Sequence, residues 1–207
     1  MPIDPEQLKN QIPYYLTAEP AQKELVRNLE ALSQGATAGY YISAAREPNA
    51  NVMLQGDGCR GFHLFSFDTG ERRDVRGIVL SNSCDISKEN DRPIAPKIIF
   101  APIVKLTAIE SRLKARGLED QAIEDRISAM KRQSVTNIFF LPAGGPLDSD
   151  HVVLFDDVHS MPSSFQQGVQ RLFTLSMAGF YLFAFKLSIH FCRLHENVDR
   201  RPEDDAA

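Results

Sequence analysis

The stretch RGIVLSNSCDISKEND, residues 76–91, holds several side chains that could take part in chemistry. Cys84 stands next to Asp85, at the point where an apolar segment ends in a polar turn. A cysteine nucleophile needs thiolate character, which a nearby histidine, a basic residue or a helix N-terminus can supply. Arg76 and Lys88 are close in sequence, whereas the carboxylate of Asp85 would oppose formation of the thiolate.

A cysteine-dependent hydrolase based on Cys84 would need a histidine that folding brings close to the thiol. His159 and His190 are the candidates for that partner. The alternative interpretation is structural: Cys84 is a small residue at a strand end, and Asp85 caps a turn through its own backbone. The serines and asparagine of SNSCDIS could likewise bind a ligand or satisfy their own backbone.

Composition limits the classes of function. The chain has 207 residues, of which 43% are hydrophobic and 24% are charged, as is usual for a soluble globular protein. Its net charge is −4, so contact with nucleic-acid phosphates must come from a local basic patch. Arg60, Arg72, Arg73 and Arg76 could form such a patch. Acidic residues alternate with them, so a solvated and self-paired surface is the alternative.

Neither a metal site nor a cofactor is expected. Cys59, Cys84 and Cys192 are far apart and form no CxxC pair, which argues against a disulfide framework and a cysteine zinc site. His190 and His195 are five residues apart, so they would sit poorly on one helical face. The glycines of QGDG and AGG lack the pattern of a phosphate-binding loop.

The polar, acidic start of the chain, MPIDPEQLKNQ, is unlike a secretory signal, so we expect a cytoplasmic location. The apolar segment Leu172–Cys192 is long enough to be considered as a membrane span. Lys186 and His190 lie within it and Arg171 and Arg193 flank it, so a buried helix and no membrane contact is the better interpretation. Its aromatic residues would pack against the N-terminal helices or form an interface with another chain.

The hydrophobic pattern predicts an α+β fold, with short strands in a small barrel and helices around it. A helix is expected over 5–34, with breaks at Pro13 and Pro20, and another over 107–135, with a break at Gly117. The segment SSFQQGVQRL is expected to start the last helix, through a serine N-cap. The predicted strands are GFHLFSF (61–67), VRGIVLS (75–81), KIIFAPIV (97–104) and TNIFFLP (136–142). HVVLFDDVHSMP (151–162) is predicted as a strand that runs into a connection, and GYYISA could be a short strand.

These elements divide the chain into parts. The expected parts are an N-terminal helical extension (1–53), a barrel (54–170) with a helical insertion at 107–135, an apolar helix (171–195) and a disordered acidic tail (196–207).

The segment QGDGCRGFHLFSFDTGERRDVRGIVLSNS resembles the opening of the MazF/PemK toxin fold, an SH3-like barrel. In that family a Gly-Asp pair opens the first strand, and an arginine after a loop precedes a strand that ends in serine or a similar residue. Gly56, Asp57, the loop 68–74, Arg76 and the segment IVLS match these features. The segments IIFAPIV, NIFFLP and SDHVVLFDDVHSMPSSF match the family's later strands and helix in order. The resemblance covers roughly residues 54–106 and 136–170.

The resemblance implies a protein of a toxin–antitoxin or defence system. The family's best-known members cut single-stranded RNA without metal, using a loop arginine and a serine or threonine hydroxyl. Arg76 matches the arginine, whereas the hydroxyl position falls on Val104, which cannot transfer a proton. The fold can therefore persist without ribonuclease activity.

Four functions stay open. The barrel could bind RNA, DNA or a protein partner, or it could be an active metal-independent endoribonuclease in which Arg76 stabilises phosphate charge. The chain could also be a structural subunit or homodimer joined by its last helix, or the cysteine-dependent hydrolase. The candidate catalytic residues are Arg76, Ser81, Cys84 and Asp85, and the candidate binding residues are Asp57, Arg73, Asn82, Ser83, Lys88 and His159.

Overall fold

The computed structural model describes residues 19–42, 52–66, 68–87, 89–90 and 92–192. These residues form a mixed α+β fold, in which helices flank an antiparallel sheet of seven strands. The start of the predicted N-terminal helix, Phe67, Lys88 and the acidic tail lie outside the described residues.

The elements of the described chain follow the order helix, strands, helical insertion, strands, helix. The strands are β1 Gly58–Phe65, β2 Arg72–Val79, β3 Lys97–Lys105, β4 Ile138–Leu141, β5 His151–Leu154, β6 His159–Pro162 and β7 Gln170–Phe173. The helices are α1 Glu19–Ser33, α2 Ser83–Ile86, α3 Leu106–Ala115, α4 Asp120–Lys131 and α5 Met177–Phe191, and a 3-10 helix covers Ser163–Gly168.

The strands are ordered β4-β5-β3-β2-β1-β7, and β6 pairs with the first half of β3. β3 is long, so one of its edges serves both β6, at Lys97–Phe100, and β5, at Ile103–Lys105. The last strand, β7, returns to pair with β1. β1 and β6 also contact each other although two strands separate them in the sheet, which shows that the sheet is curved.

The larger hydrophobic core lies on one face of the sheet, beneath α1 and α5. Leu25, Leu29 and Leu32 of α1 are buried in it, as their helical spacing predicts. Gly35 ends the helix with a φ of 96°, a conformation that a glycine adopts without steric cost. The prediction of this helix and of its glycine cap is confirmed.

A smaller core lies on the opposite face, inside the curve of the sheet. Phe62 of β1 and Phe100 of β3 are fully buried, and their rings stack at a centroid distance of 4.2 Å. Val79 and Met161 complete this layer from β2 and β6. Because side chains alternate along a strand, Val79 points into this core while its neighbour Ile78 joins the larger one.

The predicted helical insertion is present as two helices. α3 and α4 are separated at Gly117, which has a φ of 76°, so the predicted break is confirmed. The insertion packs on β4 and β5 through a third apolar cluster that includes Leu106, Met130 and Phe140. Val104, the predicted hydroxyl position, is partly buried against this same cluster.

The predicted start of the last helix is wrong. The serine-rich segment forms only the 3-10 helix, and Gln170–Phe173 is the strand β7, because its backbone pairs with β1. The helix α5 begins at Met177, where the Ser176 hydroxyl accepts a hydrogen bond from the Gly179 N–H at 3.1 Å. None of the helices in the described part of the chain is long and apolar enough to span a membrane.

The segment HVVLFDDVHSMP, predicted as a strand running into a connection, contains a second strand. It forms β5 and β6, which are separated by a turn, and both pair with the same edge of β3. The segment GYYISA contributes a single bridge, between Tyr41 and Leu175.

Candidate functional site

Ser81 lies at the end of β2 and is buried. Its hydroxyl oxygen accepts a hydrogen bond from the Ile99 N–H at 2.7 Å and donates to the Lys97 carbonyl at 3.4 Å. The hydroxyl therefore extends the contact between β2 and β3 beyond the last paired residue, and it faces β3 and not solvent.

Asn82 and Ser83 satisfy local backbone groups. The Asn82 side-chain oxygen accepts a hydrogen bond from the Cys84 N–H at 3.0 Å and caps the short helix α2. The Ser83 hydroxyl accepts from the Gln55 N–H at 2.9 Å, which ties the loop to the segment before β1. In this loop the polar residues have the turn chemistry that their types favour.

Cys84 and Asp85 are both exposed on α2. Asp85 forms an ion pair with Arg92, with an N–O distance of 2.8 Å. Neither predicted histidine contacts the thiol. His159 bonds to Asp157 at 2.7 Å and stacks on Phe100.

The second histidine candidate, His190, lies on α5 against the ring of Phe155, with a centroid distance of 5.9 Å. In the described part of the chain, neither histidine therefore forms the thiol–imidazole pair with Cys84 that a cysteine hydrolase requires.

Asp57 is completely buried. Its carboxylate accepts hydrogen bonds from the Leu54 N–H at 2.9 Å and from the Thr174 hydroxyl at 2.8 Å, and it pairs with Arg171 at 3.3 Å. Burial raises the pKa of Asp57 above its ordinary value, while these partners oppose that rise. Asp57 thus joins β7 to the entry of β1, and its side chain does not reach a ligand at the surface.

Arg76 is exposed on β2, directly opposite Arg60 on β1. Arg60 in turn lies opposite Gln170 on β7 and donates from Nε to its side-chain oxygen at 2.9 Å. Arg72 and Asp74 share the face of Arg76, because alternate residues of a strand point to the same side. We call the side chains of Arg60, His63, Arg72, Asp74 and Arg76 the hairpin face; His63 is half-buried and the other four are exposed.

His63 lies at the centre of the hairpin face. Its Nδ1 is 2.6 Å from a carboxylate oxygen of Asp74, and its Nε2 is 2.7 Å from a guanidinium nitrogen of Arg72. A guanidinium can only donate, so Nε2 accepts from Arg72 and Nδ1–H donates to Asp74. This arrangement fixes the orientation of the imidazole and ties Arg72 to the face.

The sequence did not single out His63. Its placement depends on the pairing of β1 with β2, which shifts by one residue between Arg60 and Phe62. Arg73, a predicted binding residue, points away from the hairpin face by the same alternation and pairs with Glu71 at 3.5 Å. Of the candidate catalytic and binding residues, Arg76 alone belongs to the face, and it is joined there by Arg60 and Arg72 of the predicted basic patch.

A separate groove of about 710 Å³ lies between the loop after α2 and the 3-10 helix. Most of its lining residues are of polar type, among them Asn90, Arg92, Ser164 and Gln167. Within the described residues, no group of three or more histidine, cysteine, aspartate or glutamate side chains could hold a metal ion.

No protein-family model matches this chain, and no curated protein sequence matches it. The geometry of the hairpin face, and of the strands that carry it, is therefore the basis for a functional assignment.

Proposed function

We propose that this chain is a MazF/PemK-like barrel protein that binds single-stranded nucleic acid through the hairpin face, in a toxin–antitoxin or defence system, and that it lacks ribonuclease activity. The barrel of this proposal spans residues 54–170, with the helices α3 and α4 inserted in it.

The strand connections support the barrel part of the proposal. The strands β7, β1, β2, β3 and β6 are neighbours in that order, and the last strand along the chain returns to the first. A buried apolar layer that includes Phe62 and Phe100 lies between β6 and β1. A short antiparallel sheet that curves around its own core is what a small barrel requires.

One observation carries the binding part of the proposal: Arg60 and Arg76 lie side by side and exposed on neighbouring strands. In the described part of the chain, no carboxylate forms an ion pair with either guanidinium. With Arg72 and Asp74 included, the face carries three positive charges and one negative charge, on a chain whose net charge is −4. Phosphate groups are the ligands that paired exposed guanidinium groups bind well.

The groups predicted to move a proton in a ribonuclease are engaged elsewhere, which supports the loss of cleavage by that route. The Ser81 and Ser83 hydroxyls bind backbone groups, and Asp85 pairs with Arg92. Val104 has no hydroxyl and packs against the helical insertion.

Binding of a fluorescein-labelled single-stranded RNA of roughly 12 nucleotides, followed by anisotropy, tests the proposal. Arg60→Ala and Arg76→Ala should each weaken binding about tenfold, because each removes a charge-assisted contact to phosphate. Each should also lower the slope of log K against log salt by about 0.7. Arg126→Ala, an exposed arginine of α4, is the matched control and should leave both quantities unchanged.

The same RNA should stay intact on a gel after incubation with the wild type in a chelator. Absence of binding by the wild type at low salt would overturn the proposal. Equal losses in all three variants would show that binding depends on overall charge and not on the hairpin face.

A further inference from the structure

Two large apolar side chains beside the hairpin face are exposed to solvent. Phe65 is 61% exposed and Phe165 is 51% exposed. An isolated exposed phenylalanine needs no explanation, but these two border the same cationic surface.

Phe65 ends β1 and lies opposite Arg72. It is two residues after His63, so both side chains point to the hairpin face. Phe165 comes from the 3-10 helix and meets the His63 ring edge-on, with a centroid distance of 6.3 Å and an angle of 89°. Phe165 therefore contacts the imidazole, Phe65 is its neighbour on the same side of β1, and Arg60 and Arg76 follow further along the paired strands.

The other phenylalanine of this hairpin in the described chain, Phe62, is different. It is fully buried and stacks on Phe100 inside the smaller core. The β-bulge between Arg60 and Phe62 separates the two roles, because it sets which residues of β1 face the core and which face the solvent.

We propose that Phe65 and Phe165 are platforms on which unpaired bases stack, so that the hairpin face contacts bases as well as phosphates. This inference rests on the proposed function. The partner is a single-stranded nucleic acid, because the surface combines exposed aromatic rings with an excess of guanidinium groups. A duplex presents its phosphates but keeps its base faces covered, so it would use the arginines alone.

Two labelled DNA strands of equal length and charge test the inference, one with bases and one made of abasic sugar phosphates. The wild type should bind the strand with bases at least about tenfold more tightly, since each stacked base adds to affinity. Phe65→Leu and Phe165→Leu keep an apolar side chain but remove the ring. Each should reduce binding of the strand with bases about tenfold and leave the abasic strand unchanged.

Phe191→Leu is the matched control, because Phe191 is 57% exposed on α5, outside the hairpin face, and the same substitution there should change neither affinity. Arg76→Ala should weaken binding of both strands. Equal affinity of the wild type for the two strands would overturn the proposed base stacking but not the proposed phosphate binding by the hairpin face. A wild type that binds neither strand would overturn the proposed function, and this inference with it.

Discussion

Gln133 is buried in a left-handed backbone conformation, with a φ of 57°. Its side-chain oxygen accepts a hydrogen bond from the Phe140 N–H at 3.1 Å, and its amide donates to the Phe140 carbonyl at 2.9 Å and to the Tyr40 hydroxyl at 2.8 Å. One side chain thus takes the place of a neighbouring strand beside β4, an edge strand of the sheet.

Gln133→Ala should lower the free energy of unfolding by about 2–4 kcal/mol, because it leaves the buried N–H and C=O of Phe140 without partners. Gln133→Gly loses the same hydrogen bonds but adopts the positive φ without strain. It should therefore be about 1 kcal/mol more stable than the alanine variant. This reverses the order found inside helices and strands, where alanine is the more stabilising residue. Urea denaturation of the two variants measures the difference, and an alanine variant more stable than the glycine variant would contradict the role of the backbone.

At the residue scale, the sequence predicted single side chains better than their combinations. It offered turn chemistry as one of two interpretations of Asn82 and Ser83, beside ligand binding, since these residue types bind nearby backbone groups. It could not indicate that His63 meets Asp74 and Arg72, because the bulge in β1 decides which residues are opposite each other. The arginine pair could be predicted only in part. The sequence suggests a basic patch that contains Arg60 and Arg76, but their positions side by side depend on the same strand register.

At the element scale, strands with a clear pattern were predicted and β7 was missed. Its sequence, QRLF, is short and runs into an apolar segment that reads as helix. Only tertiary pairing makes it a strand: β7 lies against β1, where Phe173 is opposite Gly58. The missing side chain of Gly58 makes room for the Phe173 ring, because a Cβ there would lie 2.1 Å from a ring atom.

Gly58→Ala should therefore push Phe173 and β7 away from β1. We expect a loss of stability of about 1–3 kcal/mol, the usual range for overpacking a core, and faster amide exchange in β7. Gly168→Ala is the matched control. Gly168 lies two residues before β7, and a Cβ there meets nothing within 4 Å. It should change stability by less than about 0.5 kcal/mol. Equal thermal shifts for the two variants would show that the ring contact does not hold β7 in place.

At the scale of the whole molecule, a buried polar network joins segments that are far apart in sequence. Lys186 of α5 is 3% exposed and donates to the Gln133 carbonyl at 2.8 Å and to the Val135 carbonyl at 2.6 Å. Through Gln133 the network continues to Tyr40, in the segment after α1, and to Phe140 of β4. In the sequence, Lys186 argues against a membrane span. Its partners belong to the helical insertion, and no local sequence pattern predicts that the insertion contacts α5.

Burial lowers the pKa of Lys186 from 10.5 to about 7. Between these two values the unfolded chain binds a proton that the folded chain does not, so stability should rise with pH from about 7 towards 10, by at most about 1.4 kcal/mol per pH unit. Below pH 7 both states are protonated, and the contribution of this lysine becomes constant. Lys186→Met removes the titrating group, so the wild type should gain stability relative to this variant as the pH is raised from about 7 to 9. Urea unfolding at several pH values measures this difference, and parallel curves for the two proteins would mean that the lysine keeps its proton in the folded core, where the two carbonyls stabilise the ammonium group.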